Sequence, residues 1–597
     1  MVLENDPIIF VQWLPGALLF FAIAAFSLAA AALLISFVAL AFRMGPLPAG
    51  DRLFKLLLAA VNDLVHTSPR RVWALTRLSI QESLRRRIFV ALVVFFIIIL
   101  FAGWFLDPTT NDPATLYLSF VLTASSYLSL LIALFLSVFS LPTDIKNRTI
   151  TTVVTKPVRH GEIVLGRVLG FAAVGTMMLL VMAIASYVFV HRGLNHTHEI
   201  DVSSLTTLTG KAETPTKTGS TTKTHGHTHE VTIDARTGRG STDFSNGHYH
   251  DVTVEKRGEK EVAVVGLPRE MLVARVPIYG SLRYKDRKGE SVAKGISVGK
   301  EWSYRSFVEG NTPAAAIWTF SNITPERFPH GLPVEMTLRV FRTYKGDIEK
   351  GIATALFLKN PADGRESAFH IFRAKDFKLD QYTVPVKLVD KTGKALDLFQ
   401  DLVHNGQVEI YIQCLEPAQY LGVAKADLYL KARSASYAAN FIKGFAGIWL
   451  QMILVTAFGV MFSTFLSGPV AMMATISSLV LGFFTKLVYD LVYEKVQGGG
   501  PVESLIRLVN QSNMTTEMDE GLTRTVVKTV DAILLKIMEV FTRLVPDFRT
   551  FDNTSFLAYG YNISVDHVLS QILATAGYVL VVFVVGYFFL RAREVSK

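Results

Sequence analysis

The 597 residues predict an α-helical, polytopic membrane protein of about seven spans, carrying a large, mainly β insertion outside the cytoplasm. Three observations carry that expectation. Half of the residues are hydrophobic, and they are gathered into blocks. Six blocks approach or exceed the roughly 20 residues needed to cross a bilayer of about 30 Å. A polar stretch from His191 to about Ala439 separates the fourth block from the fifth, and its later part alternates apolar and polar residues.

The six blocks are Leu14 to Phe42, Ile88 to Leu106, Leu116 to Leu141, Ile163 to Val190, Gly444 to Leu466 and Ile572 to Leu590. Pro469 to Phe484 is shorter, and counting it gives seven spans. The first block is too long for a cleaved signal, and its leader MVLENDP is acidic, so residues 1–43 are expected to remain as an additional N-terminal anchor.

Lys and Arg near span ends are retained in the cytoplasm, which orients the chain. Residues 44–87 carry Arg52, Lys55, Arg70, Arg71, Arg77, Arg85, Arg86 and Arg87, and read as cytoplasmic. Within them, Trp73, Ala74, Leu78 and Leu84 recur at near-helical spacing, as suits a helix on the inner membrane surface or a solvated juxtamembrane helix. Spans two to four occupy 88–190, and the turn 142–162 between the third and fourth is again basic. The hairpin DPTTNDPA has two Asp and no base, and reads as external. The tail RAREVSK is basic. These signs place the N-terminus outside, the C-terminus in the cytoplasm and the long insertion outside a cell membrane.

Residues 191–261 are rich in Thr, Gly, Ser, Lys and His, with few large apolar residues, and read as a linker or a metal-organised segment. Residues 262–439 read as a β domain. Val334, Met336, Leu338 and Val340 alternate with Glu335, Thr337 and Arg339, and Val408, Ile410, Ile412 and Cys414 repeat the pattern. Turn signals such as KDRKGE, NPADGRE and DKTGK separate such runs, so an antiparallel sandwich from about Val262 to Leu430 is expected, with a barrel as the other choice. Spans five and six fill 440–490. In 491–565, an apolar stripe from Val526 to Leu544 suggests interfacial or re-entrant helices, and 566–597 hold the last span and the tail.

The segment PTDIKNRTITTVVTKPVRHGEIVLGRVLG, Pro142 to Gly170, joins spans three and four. Pro157 breaks it before Glu162 opens the next helix, so the backbone turns there, either as a docking element for a soluble partner or as a plain connection. Here the chain resembles the ABC-2 family of permeases, in its branch associated with copper-enzyme maturation and gliding-type transport. The resemblance rests on Asp144, Arg148, Thr149, Ile150, Lys156, Pro157, Val158, Arg159, Glu162, Leu165, Gly166 and Arg167. Asn147 stands where many members have Gly, and Asp144 where Glu is commoner. Met461 to Met473 and Leu544 to Asp552 resemble a tight cytoplasmic turn and an external segment of the same family. The resemblance covers about half of the chain. It implies an ABC-2 permease fold, a coupling helix containing Asp144, Arg148, Thr149, Lys156, Pro157, Val158, Arg159 and Glu162, and a separate ABC ATPase subunit seated against it.

The residues themselves agree in two respects. No G-x-x-x-x-G-K-[ST] phosphate loop occurs, so ATP binding by that device falls to another chain. The span interiors have almost no ionisable groups, which disfavours proton- or sodium-coupled transport.

A second signal is a repeat at 196–200, 227–231 and 248–252: His-x-His, an acid, then a β-branched residue. On a strand, residues two apart share a face, so His196 and His198, His227 and His229, and His248 and His250 each offer two imidazoles to one side. Neutral imidazole suits zinc, copper, nickel or iron, the following acid can act as an outer hydrogen-bond acceptor, and His225 adds a further ligand. The alternative is a solvated His-rich tract with incidental affinity, and the connections between copies differ in length. Cys414 is the only cysteine, which excludes an intrachain disulfide.

No Ser, base and acid combine at catalytic spacing, so the chain is not expected to be an enzyme, and the basic patches are juxtamembrane and do not suggest nucleic acid. The main expectation is a permease subunit that forms a homo- or heterodimer in the lipid bilayer and couples a partner's ATP hydrolysis to substrate export or extraction. A membrane-anchored, metal-binding receptor or assembly factor is the second, and a metal-dependent membrane enzyme the third.

Overall fold

The computed structural model describes residues 9–85, 89–110, 112–146, 158–208, 215–257, 260–298, 305–344, 350–376, 378–493, 499–513 and 521–593. Its helices before the β region are α1 (Phe10–Met44), α2 (Pro46–Val65), α3 (Pro69–Arg85), α4 (Phe89–Ala102), α5 (Pro113–Lys146) and α6 (His160–Leu194). After it come α7 (Tyr437–Phe465), α8 (Gly468–Phe483), α9 (Thr485–Val492), α10 (Pro501–Val509), α11 (Leu522–Leu544), α12 (Thr554–Ala558) and α13 (Val565–Ala592).

Five of these, α1, α5, α6, α7 and α13, are long and apolar enough to cross a membrane, which gives the chain its multi-pass character. The expected sixth crossing at Pro469 to Phe484, the one that brings the count to seven, is α8, joined to α9 with a bend of 60°. The expected second crossing, Ile88 to Leu106, is shorter than its hydropathy suggested. Its helix α4 has 14 residues, about 21 Å at 1.5 Å per residue, and the chain turns at Gly103 with Trp104 and Phe105 exposed.

α7 is buried along most of its length, and α5 packs against it and against α6 and α8. α3 lies along α6 because small residues meet there. A Cβ on Gly166 would sit 2.5 Å from Leu75 Cβ, and one on Gly170 would sit 2.4 Å from Ser79 Cβ, so only glycine permits the approach. Val72, Thr76, Ser79 and Ser83 form the buried face of α3, which leaves Trp73, Ala74 and Leu78 exposed on the other. Arg70, Arg77, Gln81 and Arg85 are exposed as well, so the open face of α3 is mixed. On α11, Val526, Val530, Ile533 and Ile537 are likewise exposed, whereas Val527 is buried.

The mainly β region between α6 and α7 is antiparallel. Its first sheet is a six-stranded meander: β1 (Thr206–Leu208), β2 (Thr216–Ser220), β3 (Glu230–Asp234), β4 (Arg239–Thr242), β5 (Tyr249–Arg257) and β6 (Lys260–Arg269). The His-rich segment is therefore a sheet and not a linker. It runs to Arg269, past the boundary at Glu261 read from composition, because β6 pairs with β5 along its length.

Two further sheets face each other across the largest core. One is built on β8 (Ser281–Lys285), β9 (Ser291–Val292), β11 (Ala315–Phe320), β14 (Ile352–Lys359), β15 (His370–Ala374) and β19 (Val408–Cys414), in the order β15-β14-β19-β11-β8-β9. The other has the order β16-β12-β21-β7, with β7 (Ala274–Tyr279), β12 (Leu332–Thr337), β16 (Leu379–Val384) and β21 (Leu428–Ala435). Trp318, Phe320, Leu356 and Ile410 meet Val334, Met336, Val384 and Leu430 between them, as expected of a sandwich. Val334, Met336 and Leu338 are buried as the alternation predicts. Glu335, expected to face water, is buried too, since Arg275, Gln381, Tyr429 and Lys431 surround it with partners.

Asp380 on β16 lacks such partners: its Oδ2 is buried without a hydrogen bond, and burial pushes its carboxyl up to about 6. A carboxyl raised above its unfolded value favours the protonated fold, so its cost is absent below the ordinary value of 3.8, accrues as pH rises from there to about 6 and is fully present above it. Asp380→Asn is expected to stabilise this sheet by about 1–2 kcal/mol near pH 7.5 and to lose most of that advantage near pH 4. Amide exchange in β12 and β16 at the two pH values measures it; equal effects at both would contradict the assignment.

Candidate metal centre and coupling turn

In each repeat the extended backbone alternates, so the first, third and fifth positions point inward and the second and fourth outward. The third and fifth members are buried in all three copies: His198 and Ile200, His229 and Val231, His250 and Val252. The acids Glu199, Glu230 and Asp251 are exposed, so they do not serve as the outer hydrogen-bond acceptors expected of them.

Two hairpins deliver the second and third copies. His225 and Gly226 have φ of 48° and 79°, and Asn246 and Gly247 have 49° and 79°. Two successive left-handed residues make a two-residue type I′ turn, closed by backbone pairs Thr224–His227 and Ser245–His248. The buried Thr221 and Thr242 then accept the amides of His229 and His250 through Oγ1, both at 2.9 Å. The first copy needs no hairpin, because His196 and His198 follow directly from the end of α6.

Six rings converge as a result. Among His196, His198, His227, His229, His248 and His250, every ring centroid lies 4.9–5.2 Å from all the others except the one across the centre. The opposed pairs are His196–His229, His198–His248 and His227–His250, so the arrangement is octahedral. The first histidines of the three copies form one triangular face and the second histidines form the other.

The inward atoms are the Nε2 nitrogens. His248 Nε2 lies 3.2 Å from that of His196, 3.2 Å from that of His229 and 3.3 Å from that of His227. Nε2 of His198 and of His250 is buried without a hydrogen-bond partner.

The outward Nδ1 atoms all face oxygen. In the first histidines they meet the carbonyl two residues back: His196 to Leu194 at 2.9 Å, His227 to His225 at 3.2 Å and His248 to Asn246 at 3.1 Å. In the second histidines they meet a neighbouring strand or loop: His198 to Thr222 at 2.9 Å, His229 to Asp243 at 3.1 Å and His250 to Gly266 at 2.8 Å. A carbonyl oxygen only accepts, so Nδ1 carries the proton and Nε2 presents a lone pair. Burial also favours the neutral form of five of them, lowering His198 and His227 and pushing His196 and His250 down to about 4 and His248 to about 2. Within this set lie two buried groups able to hold a metal ion, His196, His198, His248 and His250, and His198, His227, His229 and His248. His225 stands apart: its ring touches His196 at 4.8 Å, and its part is the carbonyl that fixes His227.

At the opposite end of the bundle lies the turn between α5 and α6. Arg148, Thr149, Lys156 and Pro157 fall outside the described residues. The flanks form a frame of ion pairs. Glu162 is fully buried and accepts from Arg71 Nη2 at 2.7 Å, the Ser68 amide at 2.8 Å and the Arg159 amide at 3.1 Å. Arg159 reaches Asp63 at 2.7 Å, and Asp63 also accepts from Tyr587 Oη at 2.8 Å. Arg167 bridges Glu82 and Asp144. Val158 packs on the core formed by α5 and α6. The sequence reading missed Arg71, Asp63 and Glu82, whose opposite charges on α2 and α3 answer those on α6.

No family model matches the chain, and no curated protein matches it.

The frame's contributions follow burial. Glu162→Gln removes the buried charge that Arg71 and two amides answer and is expected to lower stability more than Arg159→Gln, which breaks a partly solvated pair worth about 1 kcal/mol or less. Thermal midpoints of the detergent-solubilised chain compare them, and equal losses would contradict this ranking.

Proposed function

We propose that the chain is the membrane-spanning permease subunit of an ATP-driven transporter of the ABC-2 type, with ATP hydrolysed by a separate subunit docked on the turn between α5 and α6. The observation that carries this reading is the ion-pair frame around that turn. Charged groups from α2, α3, α5, α6 and α13 meet there, so a push on the turn acts on the helices together. The resemblance at Asp144 to Arg167 supports the same reading. So does the pairing of Arg159 and Arg591 with Asp63 in the frame, with Lys146 and Arg593 near that end of α5 and α13, whereas Asp107 and Asp112 lie in the α4–α5 hairpin at the other end; this charge balance favours an orientation with the turn and the C-terminus in the cytoplasm.

The histidine cluster favours a second element of function: the extracytoplasmic sheet binds a transition-metal ion on its His-x-His repeats. A metal-binding receptor or assembly factor without transport would share this element and lack the ATPase.

Lys156→Cys in a Cys414→Ser background separates these. A membrane-impermeant maleimide is expected to label it only after permeabilisation, and a bifunctional reagent to link it to a co-purifying ATPase. Labelling in intact cells would exclude an ATPase at this turn.

A further inference from the structure

We propose that the cluster of His196, His198, His227, His229, His248 and His250 is a coordinatively closed, six-imidazole octahedral site for a divalent iron-, cobalt- or nickel-type ion, which staples the meander and is not transported cargo. This rests on the metal reading above and goes further in coordination number, ion class and role.

The coordination number follows from the convergence. Six rings with protonated Nδ1 leave six lone pairs directed at one centre, and nitrogens 3.2–3.3 Å apart with nothing but lone pairs between them repel. A cation at the centre reverses the sign of that interaction. An octahedron with these edges has vertices about 2.3 Å from its centre, longer than the roughly 2.0–2.1 Å of four-coordinate zinc–imidazole bonds.

The ion class follows from the donor set and its shape. Structural zinc is tetrahedral, cupric copper prefers tetragonal sites, and magnesium and calcium need oxygen. Divalent iron, cobalt and nickel accept six imidazoles in a regular octahedron. Nitrogen donors throughout leave no coordination position for water or substrate, which argues against catalysis or transfer at this ion.

The role follows from what else holds the sheet. Its buried apolar core is Ile200, Val231, Ile233, Val252 and Val265, a small core for six strands. Three of those five are the β-branched residues that close the His-x-His repeats, so ligand pairs and core are laid down by the same short segments. A core of this size needs a staple, and metal binding energy then becomes folding energy.

The test uses the full chain, purified in detergent after growth with cobalt as the supplied metal. Elemental analysis is expected to find one ion per chain, with the weak visible bands of six-coordinate cobalt and a single nitrogen shell by X-ray absorption. His198→Ala opens one position, and loss of cobalt to a chelator is expected to accelerate about tenfold or more. His225→Ala, whose ring lies outside the octahedron, should leave the spectrum unchanged, and metal-free protein should be cut by protease between residues 196 and 269. Stoichiometric cobalt with the intense bands of a tetrahedral site would overturn the six-coordinate assignment while sparing the metal reading. Metal far below one per chain, displaced by moderate imidazole, would overturn the metal reading itself.

Discussion

The histidine-bearing sheet of this molecule depends on one constraint: the outward nitrogen of each of six imidazoles faces a carbonyl, so the inward nitrogen has only a lone pair to offer. Removing any of those carbonyls would free a ring to flip or tautomerise, and the convergence would be lost. The carbonyls belong to the end of α6, to two type I′ turns and to strand or loop backbone, so the cluster is specified by secondary structure more than by side-chain packing. A sheet with so little apolar core holds its shape because its polar atoms are committed this strictly.

The other end of the bundle obeys the same physics with charges in place of lone pairs. A carboxylate as buried as Glu162 is tolerated only because a guanidinium and two amides answer it, and those donors come from the start of α3 and from the residue that opens its own helix. Arg167 is likewise held between Glu82 of α3 and Asp144 of α5. The frame therefore fixes how α3 lies along α6, a placement the glycines at 166 and 170 make sterically available.

Much of this was legible in the residues, and the failures have identifiable causes. The alternation at 334–340 and 408–414 located the sandwich, because period-two patterning reports burial on one face directly. The His-x-His pairs were legible for the same reason. Carrying the alternation two residues further would have sent the acids outward and identified Ile200, Val231 and Val252 as core. Asn246-Gly247 was a hairpin signal in plain view, and with His225-Gly226 it explains why copies spaced unevenly along the chain still converge. The meander itself was obscured by its composition, since a sheet built on Thr, Gly and Ser carries little of the apolar contrast by which strands are recognised. Hydropathy overstated α4 because it registers apolar residues and not the turn at Gly103. Glu335 defied its outward assignment because its partners lie on β7, β16 and β21, and such convergence cannot be seen along one strand.

One helix touches both the ion-pair frame and the histidine cluster. α6 begins among the ion pairs at His160 and ends at Leu194, whose carbonyl orients His196. Its 35 residues span about 52 Å without a proline. The sheet also rests on the α4–α5 hairpin, where Gly226 approaches Thr109 so closely that a Cβ would lie 2.6 Å from that of the threonine. With six rings disposed about a common centre, two of them from the residues just beyond α6, the meander has little freedom to deform internally. A tilt of α6 that began at its charged end would move the sheet as one body against the hairpin beneath it, because bending the octahedron would strain all three His-x-His pairs at once.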